Sequence, residues 1–395
     1  MPPLFNVAHE LSRAGYRVIE IGYEGANRPS RERLSLSVQI FRLTLRSRSF
    51  RITPLRKVLA TIEFLVKSRR LINRLRPSLL ITFNDPASIL MGTGLRGIPV
   101  KTTWLLEYPE LELVSLPTRL ILKLSAACWS KADVFVAPTK ERLALHLGLK
   151  PKCRELRNFV VQNAPLLDSG RAAATPCLSA SSREAIEALK EAGRKGFFRI
   201  VYSGAIGNRY AIDKLIEATG RSERGFLLLL GKKHELAERE VQEALKNCPD
   251  PTRIRWIDEI PYLEMQEVLP AADLGFSFYL GDTLNTRFSA PGKVYEYLKA
   301  GLLVLTDTQS CIHEMLNAYE CGYFLEPPIS VSEIGKLLAR IGSEIDDLPV
   351  RKEAARKLFT DKLCLEQQLE PYLKYLEQTP HRTLDLNPNY GTESN

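Results

Sequence analysis

The chain has 395 residues, 45% hydrophobic and 26% charged, a composition that builds globular domains and excludes a disordered polymer. Its seven cysteines form no Cys-x-x-Cys and no Cys–His spacing suited to zinc, so no disulfide framework or zinc site is expected and the compartment reads as a reducing cytoplasm. The net charge is +9, yet the segment between Arg28 and Arg76 holds fourteen Lys and Arg against Glu32 and Glu63, a net +12, which leaves −3 for the remainder. That concentration points to an anionic surface. Lipid headgroups rank ahead of nucleic acid, because the segment has little aromatic interleaving and no nucleic-acid motif. No apolar run approaches the ~20 residues of a spanning helix, and no signal-peptide pattern opens the chain.

In chain order, residues 6–14 read as a helix with Gly15 as its left-handed terminator, and residues 16–23 as a strand. Residues 54–76 place apolar side chains at helical spacing with a basic opposite face, and Pro77 stops them. Strands follow at 79–83, 100–106 and 133–137, with helices at 117–131 and 140–147. This alternation implies a parallel doubly wound sheet. The chain opens directly on a helix, without a preceding strand or Gly-rich turn. Residues 167–196, rich in Ala, Ser, Arg and Glu, read as a linker with one exposed helix. A second alternation has strands at 198–203, 226–230, 254–257, 274–278, 302–306 and 323–325, with helices between. Helical residues 346–378 close the fold, and residues 379–395 form a polar tail expected to be disordered. The expected organisation is therefore α/β, with one Rossmann-like domain over 1–166 that lacks its first strand and another over 197–345. Ligands of such sheets bind at the strand carboxyl ends.

The strongest local signal is Ser289-Ala-Pro-Gly-Lys-Val-Tyr-Glu-Tyr-Leu-Lys-Ala-Gly301 before an apolar strand. Pro291 suits a helix start, and Gly292 lets backbone approach a ligand at the anion-favouring N-terminus. Lys293 opposes the helix dipole there, a placement that makes sense beside a bound anion. Glu296, one turn on, can accept from a ribose diol. An incidental Lys–Glu pair on a surface helix has the same spacing. A second signal is Tyr202-Ser-Gly-Ala-Ile-Gly-Asn-Arg-Tyr210, in which Gly204 and Gly207 can turn N–H groups toward a pyrophosphate and Arg209 can neutralise it. Gly231-Lys232-Lys233 repeats the pattern after the next strand, although a solvated loop has the same composition.

Taken in order, strand–Gly–Arg, strand–Gly–Lys, Ile257-Asp-Glu-Ile-Pro261, Ala271-Ala-Asp-Leu-Gly275 and Pro-Gly-Lys-x-x-Glu-Tyr-x-x-Ala-Gly resemble the C-terminal half of GT-B glycosyltransferases, family 4 in particular. The resemblance covers about residues 198–341, with weaker echoes earlier. It implies a nucleotide-sugar donor on the C-terminal domain and an acceptor on the N-terminal one. Glu296 would then hold the ribose, Lys293 and Arg209 the diphosphate with Gly204, Gly207, Lys232 and Gly292 around it, and the 257–263 loop with Ile260 the base. Glu107, after the 100–106 strand, falls where acceptor-side groups lie and could act as base or anchor, or be a plain surface carboxylate. Asn84-Asp85 has the same reading. Two departures stand out: Phe288 occupies the position of the family's other glutamate, and the first strand and Gly-rich turn are missing.

No Asp-x-Asp occurs, so the leaving charge would fall to Arg209, Lys293 and helix N–H groups, with no metal and no cofactor besides the nucleotide-sugar co-substrate. His146 and His381 read as structural or solvated, and His9 as a weak candidate. The expected activity is a retaining hexosyl transfer to a saccharide or lipid-linked acceptor in cell-envelope polysaccharide synthesis, by a cytoplasmic protein peripheral at the inner membrane face. A non-catalytic GT-B subunit and a nucleotide-sugar 2-epimerase are the alternatives.

Overall fold

The computed structural model describes residues 2–23, 31–33, 37–49, 53–167, 178–279, 281, 283–307 and 311–379. The expected tail after Thr379, residues 168–177 of the expected linker, and residues 28–30, 34–36 and 50–52 of the basic segment lie outside them. The chain divides into two units, residues 1–161 with 369–395, and residues 162–368.

In the first unit, α1 (Pro2–Arg13) ends at Gly15, whose φ of +90° suits a residue without a Cβ. Among the described residues no strand precedes it. Strands β1 (Val18–Tyr23), β2 (Arg31–Arg33) and β3 (Val38–Leu43) form a small sheet in the order β1-β3-β2, parallel between β1 and β3. The long α2 (Thr53–Leu75) follows, and its Ile72 packs with Leu80, Leu90 and Met91. A separate parallel sheet contains β4 (Leu79–Phe83), β5 (Val100–Trp104), β6 (Val134–Ala137) and β7 (Arg157–Val160) in that order. Helices α3 (Leu116–Trp129) and α4 (Lys140–Leu149) connect its strands. All four residues of β6 are buried, which explains its unbroken Val-Phe-Val-Ala run.

In the second unit, α5 (Ala180–Arg194) corrects one expectation. It is no exposed linker helix, because Ala185, Leu189 and Ala192 form a buried stripe against the core of the sheet. Then come β8 (Phe198–Ser203), α6 (Ile212–Arg221), β9 (Gly225–Leu230), α7 (Glu235–Lys246), β10 (Ile254–Ile257), α8 (Tyr262–Val268), β11 (Leu274–Ser277), α9 (Leu284–Arg287), α10 (Gly292–Ala300), β12 (Leu303–Asp307), α11 (His313–Ala318), β13 (Gly322–Leu325), α12 (Val331–Ser343) and α13 (Leu348–Leu358). The six strands are parallel in the order β10-β9-β8-β11-β12-β13, so the winding direction reverses between β8 and β11. Asp273 locks this region: it accepts from the Arg199 backbone N–H at 2.9 Å and its Nε at 2.7 Å, and faces Lys352 Nζ of α13 at 3.2 Å.

A π-helical turn, Phe359–Leu363, leads to α14 (Leu365–Gln378). The closing helices therefore do not form one block, since residues from Leu369 onward belong to the first unit. There Tyr372 is fully buried, shares a 2.8 Å hydrogen bond with the Thr102 hydroxyl, and meets the rings of Trp104 and Phe159 edge-on.

Candidate functional site

In open α/β sheets, ligands bind outside the carboxyl ends of the strands, at the point where the winding reverses. In the second unit this point lies between β8 and β11, and α10 begins there. Lys293, in the first turn of α10, extends its ammonium into a cage of three tyrosines. Nζ lies 4.2 Å from the ring centroid of Tyr202 on β8, 5.4 Å from that of Tyr210 in the following loop, and 5.6 Å from that of Tyr279 just past β11. The aromatic faces attract the cation, but they do not supply a counter-charge. No carboxylate pairs with Lys293 among the described residues, and desolvation pushes its ammonium down to about 7. Gly204 completes the cage: a Cβ there would stand 3.3 Å from Nζ, and its φ is +131°.

The position of α10 is fixed by its buried face. The Tyr297 ring fills the space a Cβ on Gly275 would need, so the helix can lie directly on β11. Its hydroxyl accepts from the Ser203 N–H at 3.0 Å and donates to the Phe276 carbonyl at 3.2 Å, fastening the ends of β8 and β11 together. Glu296 does not pair with Lys293, which sets aside the incidental surface pair. It accepts a short hydrogen bond from the Tyr262 hydroxyl at the start of α8, and burial raises its carboxyl above the usual range. Tyr262 belongs to the 257–263 loop, where Ile260 is buried. The Pro291–Glu296 pattern and the 257–263 loop thus bring a buried carboxyl, a caged cation and an apolar side chain to one sheet edge.

The other expected residues of this unit lie in the loops around that edge. Gly207 and Asn208 lie against Glu240, whose carboxylate accepts from the Asn208 N–H at 3.0 Å. Arg209 is exposed, with its guanidinium carbon 5.8 Å from the Tyr210 ring. Lys232 is exposed as well, whereas its neighbour Lys233 lies 5.4 Å from the Trp256 ring, and its N–H donates to Asp258. A Cβ on Gly292 would meet the Asn163 carbonyl at 3.4 Å. Beside the cage, Ser277, Tyr279, Ser289 and Thr306 line a small polar hollow at the ends of β11 and β12. The buried Ser277 hydroxyl has no hydrogen-bond partner there. The three cage tyrosines and Tyr262 escaped the sequence reading. Tyr202 and Tyr210 fall within the 202–210 motif and Tyr262 within the 257–263 loop, whereas Tyr279 lies in neither.

In the first unit, Glu107 is exposed just past β5, on backbone that is firmly held. The Arg142 guanidinium donates to the Leu106 carbonyl, His146 Nε2 lies 3.2 Å from the Glu107 carbonyl, and the Asn84 side chain accepts from the Leu106 N–H at 2.6 Å. His146 is fully buried, and desolvation holds it down at about 4, so it is a neutral structural residue at pH 7. Asp85 accepts from Ser88 at 2.9 Å, from Ser125, and from the Trp129 indole at 3.3 Å. Burial raises its carboxyl against those bonds. Asp85 fastens α3 to the end of β4. Among the described residues no group of three or more His, Cys, Asp or Glu is arranged to hold a metal ion.

No protein-family model and no curated protein matches the chain. Solved structures do. Sucrose-phosphate synthase from Thermosynechococcus elongatus superposes with a TM-score of 0.71 at 14% identity, over 94% of this chain and 92% of that one. WaaG, a glycosyltransferase involved in lipopolysaccharide biosynthesis, gives 0.62 at 15%, over 95% of each. HepE from Anabaena, in complex with UDP-glucose, gives 0.63 at 11%, over 86% and 85%. These likenesses extend across both units, and with the paired α/β architecture they establish that the chain has the GT-B fold.

Proposed function

We propose that this protein is a glycosyltransferase that moves a sugar from a nucleotide-sugar to a saccharide or lipid-linked acceptor in cell-envelope polysaccharide synthesis. The observation that carries the reading is the Lys293 cage, a cation that pairs with no carboxylate among the described residues, at the switch point of a doubly wound sheet. A diphosphate is the counter-charge it lacks. Arg209 and the α10 N-terminus add positive potential, and Glu296 takes the ribose once Tyr262 yields its bond. The Ser277 hollow adjoins the cage and offers hydroxyl partners for the hexose. UDP-glucose in HepE and the lipopolysaccharide role of WaaG support the donor class and the pathway.

In the transfer, the bond between the anomeric carbon and the β-phosphate oxygen breaks, and that oxygen keeps the electron pair. Lys293 and Arg209 stabilise the charge it gains. The acceptor hydroxyl bonds to the anomeric carbon, with retention, and its proton passes to the departing phosphate. No cofactor beyond the co-substrate enters this scheme. The +12 segment between Arg28 and Arg76 would hold the protein at an anionic membrane surface, where lipid-linked acceptors reside.

The test is binding and turnover with a panel of UDP-, GDP- and ADP-sugars. Glu296→Ala should weaken nucleotide binding on the order of ten- to a hundredfold, since a charged acceptor is lost. An unchanged Kd removes Glu296 from the site. Phe288, in place of the family's other glutamate, favours the second reading, a subunit that binds the donor without turnover. Tight donor binding with no release of free nucleotide in the presence of any acceptor would select it.

A further inference from the structure

We infer that α3 docks on an anionic bilayer, with Leu116, Leu120 and Leu124 entering the acyl boundary. The inference deepens the membrane reading above and rests on it. The three leucines follow one another at i, i+4 and i+8 along one side of the helix, and they are 67%, 61% and 55% exposed. Leu113, just before the helix, is 65% exposed. The opposite side buries Ser125, Cys128 and Trp129. A helix that turns its leucines outward has an apolar face unpartnered among the described residues, and such ridges mark surfaces that are covered in use.

Charge identifies the occupant. The helix contains Arg119 and Lys123 and no acidic residue. Neither cation pairs with a carboxylate among the described residues, and Arg119 Nε is buried without a hydrogen-bond partner. Lipid phosphates would supply the counter-charge to both side chains. Helix α2, which packs beside α3, adds Arg69, Arg70 and Arg74, also without carboxylate partners among the described residues, and exposes Ile62 and Val66. Glu110 and Glu112 lie before Leu113, so they leave the helix itself uniformly basic. Leucines flanked by unpaired cations are the signature of a helix lying in the interfacial plane.

The experiment uses the full chain and compares flotation with vesicles of phosphatidylcholine alone and of phosphatidylcholine mixed with phosphatidylglycerol. The protein should bind only the mixed vesicles. Leu120→Ser with Leu124→Ser should lower that affinity on the order of a hundredfold. Thermal unfolding and nucleotide affinity should be unchanged, because these side chains are exposed and belong to the first unit. If the leucine variant binds as the parent while Gln at Arg69, Arg70, Arg74 and Arg76 abolishes binding, the α3 inference falls and the basic-segment reading stands. If the parent ignores mixed vesicles at low salt, both fall. If the parent is a dimer in solution that the leucine variant dissolves, with vesicle binding unaltered, the ridge belongs to a second copy and the inference is overturned.

Discussion

Lys293 holds its charge where water reaches it poorly, against three aromatic faces, and pairs with no carboxylate among the described residues. Desolvation brings its ammonium to about 7, so a bound diphosphate would favour the protonated form and raise that value. Binding then takes up a proton wherever the empty site is neutral. Affinity for a nucleotide-sugar, whose phosphates are fully ionised near neutrality, should weaken by up to about tenfold per pH unit above 7. Calorimetry in buffers of different ionisation enthalpy would register the proton. In Lys293→Met the pH dependence should vanish along with most of the affinity. The empty variant should be more stable by roughly 1–2 kcal/mol, since an apolar side chain replaces an unpaired cation. A pH-independent Kd in the parent would mean that the cage does not face the phosphates.

At the scale of elements, Asp273 ties β8 and β11 to α13 through Arg199 and Lys352. Burial pushes its carboxyl up, and the hydrogen bonds and charges of Arg199 and Lys352 more than offset this, so it titrates below the ordinary range. Its stabilisation is present above the unfolded carboxylate value and is lost as pH falls through the lower folded value. Asp273→Asn should cost about 3 kcal/mol near pH 7 and flatten the acid limb of the stability profile, as measured by urea titrations. Glu320, exposed after α11, has a φ of +52°. Glu320→Gly removes that strain and should stabilise the protein by about 1 kcal/mol, because the Arg351 bond it makes uses only its carbonyl.

The elements also mark where the sequence was legible. The strands of the second unit stand within a residue or so of expectation, because β9 is an unbroken apolar run after Gly225 and β12 opens on Leu303-Val-Leu before turning polar at Thr306. Strand β3, Val-Gln-Ile-Phe-Arg-Leu, lies amid the basic segment and reads as charge before it reads as pattern. Strand β7 has only four residues, too few for a period to emerge. At the candidate site, Lys293 and Glu296 were visible because one helix carries both. The cage was not, since Tyr202 and Tyr279 are brought together by strand order, which no local spacing encodes.

For the whole molecule, the second unit is a continuous stretch, whereas the first is assembled from both ends of the chain. Tyr372 makes the closure, buried against Thr102, Trp104 and Phe159. Tyr372→Ala should destabilise the first unit by about 3–5 kcal/mol, seen as an earlier thermal transition, while nucleotide affinity in the second unit is retained. Loss of nucleotide binding in this variant would show that the two units do not fold independently. The same closure sets an order during synthesis. The ribosome adds about 5–20 residues per second, so more than two hundred residues separate β7 from Tyr372 by roughly ten to forty seconds. Throughout that interval the first unit waits with Trp104 uncovered, and the unit that begins second is the first able to finish.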